Sequence, residues 1–205
     1  IIGSIILALI PAIVWGVMFY IKRPEDRKFS LGTFLAGGIA VAPILLYKFS
    51  WDYLPWINAF KFAEGYKNDY IGLSGIIMIP LSVIITFMFV GIMEEIMKYF
   101  AVRIADDNKL LTIDDAIEFF IIAALGFSFT ENILYFYNIW MQEGTNGLFI
   151  PFMFRSLFST FAHVMFSGIM GYYYGVAHFA KPILQEEIKL NRRHWTKILH
   201  KILSI

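Results

Sequence analysis

Five apolar stretches dominate this chain of 205 residues, each near or above the ~20 residues that carry a helix across a bilayer. They occupy residues 1–21, 29–49, 72–102, 116–141 and 148–180. In hydrocarbon every backbone N–H and C=O must find a partner within the chain, so such stretches become helices or strands of a closed barrel. The period-2 alternation of barrel strands does not recur, and the expectation is an all-α, polytopic transmembrane bundle over residues 1–181. The third and fifth stretches exceed a straight crossing, which predicts tilt or a kink at Pro80 and Pro151. A hydrophobic share of 59% excludes disorder, and a net charge of +1 without a basic stripe argues against a nucleic-acid partner. The absence of cysteine removes disulfides, thiolate metal sites and a cysteine nucleophile. The chain opens on Ile rather than Met, which reads as a processed or partial polypeptide. Its first stretch is too long for a signal peptide, and no small-residue cleavage site follows it.

Basic residues between the stretches predict the orientation. Lys22, Arg23, Arg27 and Lys28 fall in the first loop, and Arg103 and Lys109 in the third. Lys181, Lys189, Arg192, Arg193, Lys197 and Lys201 follow the fifth stretch, whereas the second loop holds only Lys61 and Lys67 and the fourth none. By the positive-inside rule, residue 1 lies outside and the C-terminal tail is cytoplasmic. Residues 182–205 alternate basic and apolar character, as a surface-lying amphipathic tail or the lead-in to a further span would.

Against this apolar background six charges are out of place: Glu94, Glu95, Lys98, Glu118, Glu131 and Arg155. Glu118 starts its stretch and reaches water. A carboxylate at a helix centre costs roughly 2.5–3.5 kcal/mol by insertion scales, so intramembrane charges mark function by default. Lys98 is four residues after Glu94 and three after Glu95, and can meet either on one helix face. The two carboxylates point about 100° apart, so one is expected to face the site and the other to brace it. At ~1.5 Å per residue, Glu94 lies ~15 Å from the inner end of its stretch, and Glu131 and His163 ~22 Å from the starts of theirs. These depths let three helices share one site. Phe127 shares a face with Glu131, as does His163 with Ser167, and Gly168, Gly171 and Gly175 suit close helix packing. The set offers carboxylates to activate water and a histidine to ligate or donate.

These patches resemble the PrsW family of intramembrane proteases. The matching motifs are Glu94-Glu95-x-x-Lys98, Phe127-x-x-x-Glu131 followed by Asn132, and His163-x-x-x-Ser167, in the family's order and each on its own stretch. The resemblance covers residues 91–175 and extends distantly to the CAAX-processing and bacteriocin-immunity proteases. Those carry His where this chain has Glu131 and usually Asn where it has Ser167. It implies a membrane peptidase that cuts single-pass membrane proteins such as anti-sigma factors, in a bacterial or archaeal cell membrane. Glu94, Glu95, Glu131 and His163 would be catalytic, with Lys98, Phe127, Asn132 and Ser167 in support. Two chemistries stay open. One uses a divalent metal, zinc first, held by Glu131, His163 and Glu95. The other is metal-free, with a glutamate activating water and the histidine facing the oxyanion. Ser167 would orient His163 or donate to the oxyanion.

Blander readings compete at each position. Glu94 and Glu95 could end a helix at the cytoplasm, Glu131 could make a structural hydrogen bond, and His163 could be a packed core residue. Arg155, seven residues into its stretch, reads as a structural charge partner or an outer-surface anchor. Gly72-Leu73-Ser74-Gly75 matches the Gly-x-Ser-Gly of rhomboid serine proteases, but four residues in a glycine-rich chain are cheap. His-Glu-x-x-His is absent. The rival class is an ion- or proton-coupled transporter or a helix-binding scaffold, in which buried carboxylates carry ions. The lack of repeat symmetry argues against it. Oligomeric state is not written in the sequence.

Overall fold

The computed structural model describes residues 1–21, 31–73, 77–106 and 110–189. Lys22, Arg23, Arg27, Lys28, Lys109, Arg192, Arg193, Lys197 and Lys201, which carry much of the orientation argument, lie outside the described residues, as do Ser74 and Gly75 of the rhomboid-like match. The first stretch forms α1 (Ile2–Ile21). The second forms α2 (Leu31–Ile39) and α3 (Val41–Ser50), joined through Ala40, whose backbone is itself nearly helical. A short helix α4 (Ala59–Glu64) follows, capped by Asn58, whose Oδ1 accepts from the Phe60 and Lys61 amides. Tyr47 reaches across from α3 to hold this segment, its hydroxyl donating to the Ile57 carbonyl and accepting from the Ala59 amide.

The third stretch differs from expectation. Gly72, Leu73 and Ile77–Pro80, expected to begin a helix, instead belong to an antiparallel pair, β1 (Tyr70–Leu73) against β2 (Ile77–Pro80), in register Tyr70↔Pro80 and Leu73↔Ile77. The helix α5 (Leu81–Asp106) starts only after Pro80. Pro80 is therefore not a kink but the boundary between strand and helix, a place where its missing N–H costs nothing. Pro151 likewise sits in the first turn of α7 (Phe149–Phe154), where no intrahelical donor is lost. The irregularity of the fifth stretch comes one turn later, as a π-turn at Arg155–Ser159 leading into α8 (Thr160–Lys189).

The fourth stretch is α6 (Ile113–Glu143), started by a capping box in which Thr112 Oγ1 accepts from the Asp115 amide and Asp115 returns the bond. Its 31 residues span ~46 Å at the helical rise, more than the ~30 Å hydrocarbon core. It is the central post of the bundle, buried from Ala116 through Asn132 on most faces. α2 crosses it at backbone contact: a side chain at Gly126 would strike the Phe34 carbonyl, and one at Gly37 the Ala123 carbonyl. On the other flank Gly171 and Gly175 of α8 lie against Ala116, Ile117 and Ile113. Small residues let membrane helices approach this closely and gain dispersion contact that lipid cannot supply. Leu31–Ser50, Ile113–Glu143 and Phe149–Pro182 are each long and apolar enough to cross a membrane. α5 has the length, but its centre carries Glu94, Glu95 and Lys98.

Candidate active site

The three charged patches converge where α5, α6 and α8 meet. Lys98 is fully buried, and its ammonium stands 2.6 Å from Glu95 Oε1 and 3.0 Å from His163 Nδ1. An ammonium has only donors to offer, so Nδ1 accepts and the imidazole proton resides on Nε2. From there it is donated to Glu131 Oε2, 3.1 Å away. Glu131 Oε2 also receives Arg155 Nη2 at 2.6 Å, and Arg155 Nε donates to Asn132 Oδ1. The result is a hydrogen-bonded chain across three helices, running Glu95, Lys98, His163, Glu131, Arg155, with an ion pair at each end and the neutral imidazole between them. Each charge meets its opposite, the condition under which ionised groups persist out of water. Phe127 walls the site, with the Lys98 ammonium 4.7 Å from its ring centroid and the His163 ring 5.6 Å away.

Glu94 stands outside this chain. Its Oε2 lies 3.6 Å from His163 Nδ1, beyond hydrogen-bond range. The neighbouring Glu95 has both oxygens engaged, by Lys98 and by Ser167 Oγ at 2.7 Å. Of the two adjacent carboxylates Glu95 is therefore the bonded one, tying α5 to α8. Ser167 differs from expectation, because it bonds Glu95 rather than orienting His163.

Arg155 is the residue whose place the sequence conveyed least. Counted from the start of its stretch it is too shallow for the site, yet it reaches Glu131 from the π-turn. A π-turn inserts one residue into the helix and reorients the side chains around it, and such turns recur at functional sites. Here the turn is pinned by Thr160, whose Oγ1 donates to the Arg155 carbonyl at 2.9 Å and lies 3.0 Å from Ser128 Oγ. Asn132 Nδ2 donates to both hydroxyls. The Arg155 guanidinium also lies 4.5 Å from the Tyr135 ring centroid. Of its two readings, charge partner is what the geometry bears out. Ser128 and Thr160 were not singled out from the sequence, where a hydroxyl in an apolar helix more often bonds its own backbone.

The metal set expected from the resemblance, Glu131, His163 and Glu95, does not present a ligand geometry. Among the described residues no three His, Asp or Glu side chains converge as a metal site. Both oxygens of Glu95 and both nitrogens of His163 already have partners. Lys98 and Arg155 stand where a bound cation would balance the carboxylates. A divalent ion would have to displace an ammonium or a guanidinium.

A helical bundle threaded by apolar spans, with glutamates, a histidine and two paired cations at its centre, defines a polytopic membrane protein with a charged polar site. Residues 25–196 match the PrsW family of intramembrane metalloproteases, and the chain belongs to that family. It is 27% identical over 175 residues to the Protease PrsW of Geobacillus kaustophilus (strain HTA426). The match covers 83% of this chain and 64% of that relative, so the chain spans rather less than two thirds of the relative's length. No solved structure matches it. Family and apolar helices together make it an integral membrane protein.

Proposed function

We propose that this chain is an intramembrane endopeptidase in which Glu94 activates the hydrolytic water and no metal takes part. The observation that carries this reading is the contrast between carboxylates. Glu95 has both oxygens bonded, by Lys98 and Ser167, and Glu131 holds Arg155 and His163 through Oε2, whereas Glu94 makes no hydrogen bond among the described residues and keeps both oxygens for a water. Glu94 takes a proton from that water as its oxygen adds to the scissile carbonyl carbon. The carbonyl oxygen becomes an oxyanion in the field of Lys98 and Arg155, two fixed positive charges in a low-dielectric site. Glu94 then hands its proton to the amide nitrogen, and the C–N bond breaks. His163 keeps Glu131 and Lys98 in register. The substrate is a single-pass membrane protein of the anti-sigma-factor kind, with residue 1 of the peptidase outside and the tail cytoplasmic.

Two measurements on detergent-purified protein test the reading. In the first, Glu94→Gln abolishes cleavage of a single-pass reporter while thermal stability is kept. A Glu94→Gln variant that cuts at the wild-type rate removes Glu94 from the chemistry. In the second, mass spectrometry finds no stoichiometric metal in wild type, Glu131→Gln or His163→Ala. About one zinc per chain, lost in both variants, would replace this mechanism with a metal-based one.

A further inference from the structure

The stripe of α5 that carries the site changes character along its length. Phe87, Gly91 and Lys98 follow one another on a single helix face at spacings of four and seven residues. Lys98 is fully buried. Two turns earlier, a Cβ added to Gly91 would meet nothing within 4 Å, and one turn before that Phe87 is 73% exposed. The interior face of α5 thus passes from covered to bare over ~16 Å. Gly91 differs in kind from Gly37, Gly126 and Gly171, which are pressed against neighbouring backbone. Among the described residues no helix uses the room that Gly91 leaves, yet Gly91 stands one turn from Glu94 and Glu95 on their own face. At the other end the seam between α5 and α8 is shut. Tyr99 meets Tyr174 edge-on with centroids 5.5 Å apart, and both rings pack on Phe120.

We propose that Gly91 floors a groove that receives the unwound backbone of an apolar membrane segment, led along α5 from Phe87 to the carboxylates. The proposal rests on the peptidase reading for its occupant. A peptide bond within a helix in hydrocarbon has its carbonyl already bonded, so a segment offered to Glu94 must be unwound there. An unwound strand brings backbone against backbone, which a residue without Cβ permits. Phe87 makes the approach apolar, and Glu94 makes its end polar. That pattern suits a hydrophobic chain presenting one bare peptide bond, and not a free ion or a charged solute.

The chain has no cysteine, so Gly91→Cys carries a single thiol. Ile92→Cys is the control, at the same depth but turned 100° toward the surroundings. Both variants, in lipid nanodiscs, are treated with 2-aminoethyl methanethiosulfonate, which reacts with the thiolate and so reports where water reaches. Gly91→Cys is expected to label about tenfold faster than Ile92→Cys. A synthetic 20-residue Leu/Ala peptide with a central Gly-Ser should suppress the Gly91→Cys labelling and leave the control alone. Equal labelling of the two, or labelling at Gly91→Cys that the peptide leaves unchanged, overturns the groove. On a cleavable single-pass reporter, Gly91→Trp should lose at least about tenfold in rate at an unchanged thermal midpoint, whereas Ile92→Trp should not. Equal cleavage by wild type and Gly91→Trp refutes the groove. A wild type that cuts nothing, while the peptide still protects Gly91→Cys, refutes the peptidase reading and leaves the groove standing.

Discussion

Lys98→Met is the perturbation that bears most directly on how this site holds together. The wild-type ammonium is fully buried and joins Glu95 to His163 across the α5–α8 seam. Methionine fills nearly the same volume, so packing is kept and only the charge and its two bonds are lost. Glu95 then remains an anion with Ser167 as its one remaining partner. Breaking a buried ion pair by removing one member costs about 3–5 kcal/mol, most of it the stranded charge. At about 2–4 °C per kcal/mol for a chain of this size, the midpoint should fall by about 6–20 °C. Replacing both members reverses the argument, because Lys98→Met with Glu95→Gln leaves no stranded charge and still lets the amide oxygen accept from Ser167. The double variant should recover at least half of the loss, a coupling of about 2 kcal/mol or more. Tryptophan fluorescence during thermal unfolding in nanodiscs measures all four corners of the cycle. Additivity within about 0.5 kcal/mol would refute a charged Lys98–Glu95 pair.

Three further outcomes follow from the same geometry. Glu95→Gln should lower stability more than Glu94→Gln, because only Glu95 holds Lys98 and Ser167; differential scanning fluorimetry of the two variants checks the order. Arg155→Lys should keep the charge beside Glu131 but lose the bond from Nε to Asn132, and cost about 1–3 kcal/mol where Arg155→Met costs more; midpoints in the same assay decide. Gly171→Leu should prevent assembly altogether, since its Cβ already falls against Ile117, Ala116 and Phe120 of α6; size-exclusion chromatography would show aggregate in place of a single peak.

The sequence conveys the helices more fully than their interruptions. Apolar runs long enough to cross a bilayer leave the backbone almost no alternative, which is why the stretches at 1–21, 116–141 and 148–180 reappear as helices. The two strands escaped because a short apolar run reads equally well as buried strand or helix; the cue was Gly72 and Pro80. The break at Ala40 has its mark in Gly37, Gly38 and Pro43, the last in the first turn of α3 where it has no N–H to offer the Ile39 carbonyl, although the Ala40 dihedrals stay in the helical region. In the site, Glu94, Glu95, Lys98, Glu131 and His163 were legible because charge in hydrocarbon is costly. Which glutamate is engaged was not, because that depends on Ser167 coming from 72 residues away. The π-turn was invisible for the same reason. Its register is set by Thr160, Ser128 and Asn132 from two helices, and no local pattern encodes it.

The ion pair between Glu131 and Arg155 also bears on how the protein is made. Helices enter a membrane in order of synthesis, and α6 arrives carrying Glu131 before Arg155, 24 residues later, has left the ribosome. Alone, that glutamate opposes insertion; beside Arg155 it is neutralised. α6 and the α7–α8 arm are therefore expected to insert as one hairpin, delivered as a pair. Lesions at Arg155 would then be felt first in the quantity of protein that reaches the membrane, before any change in the finished molecule.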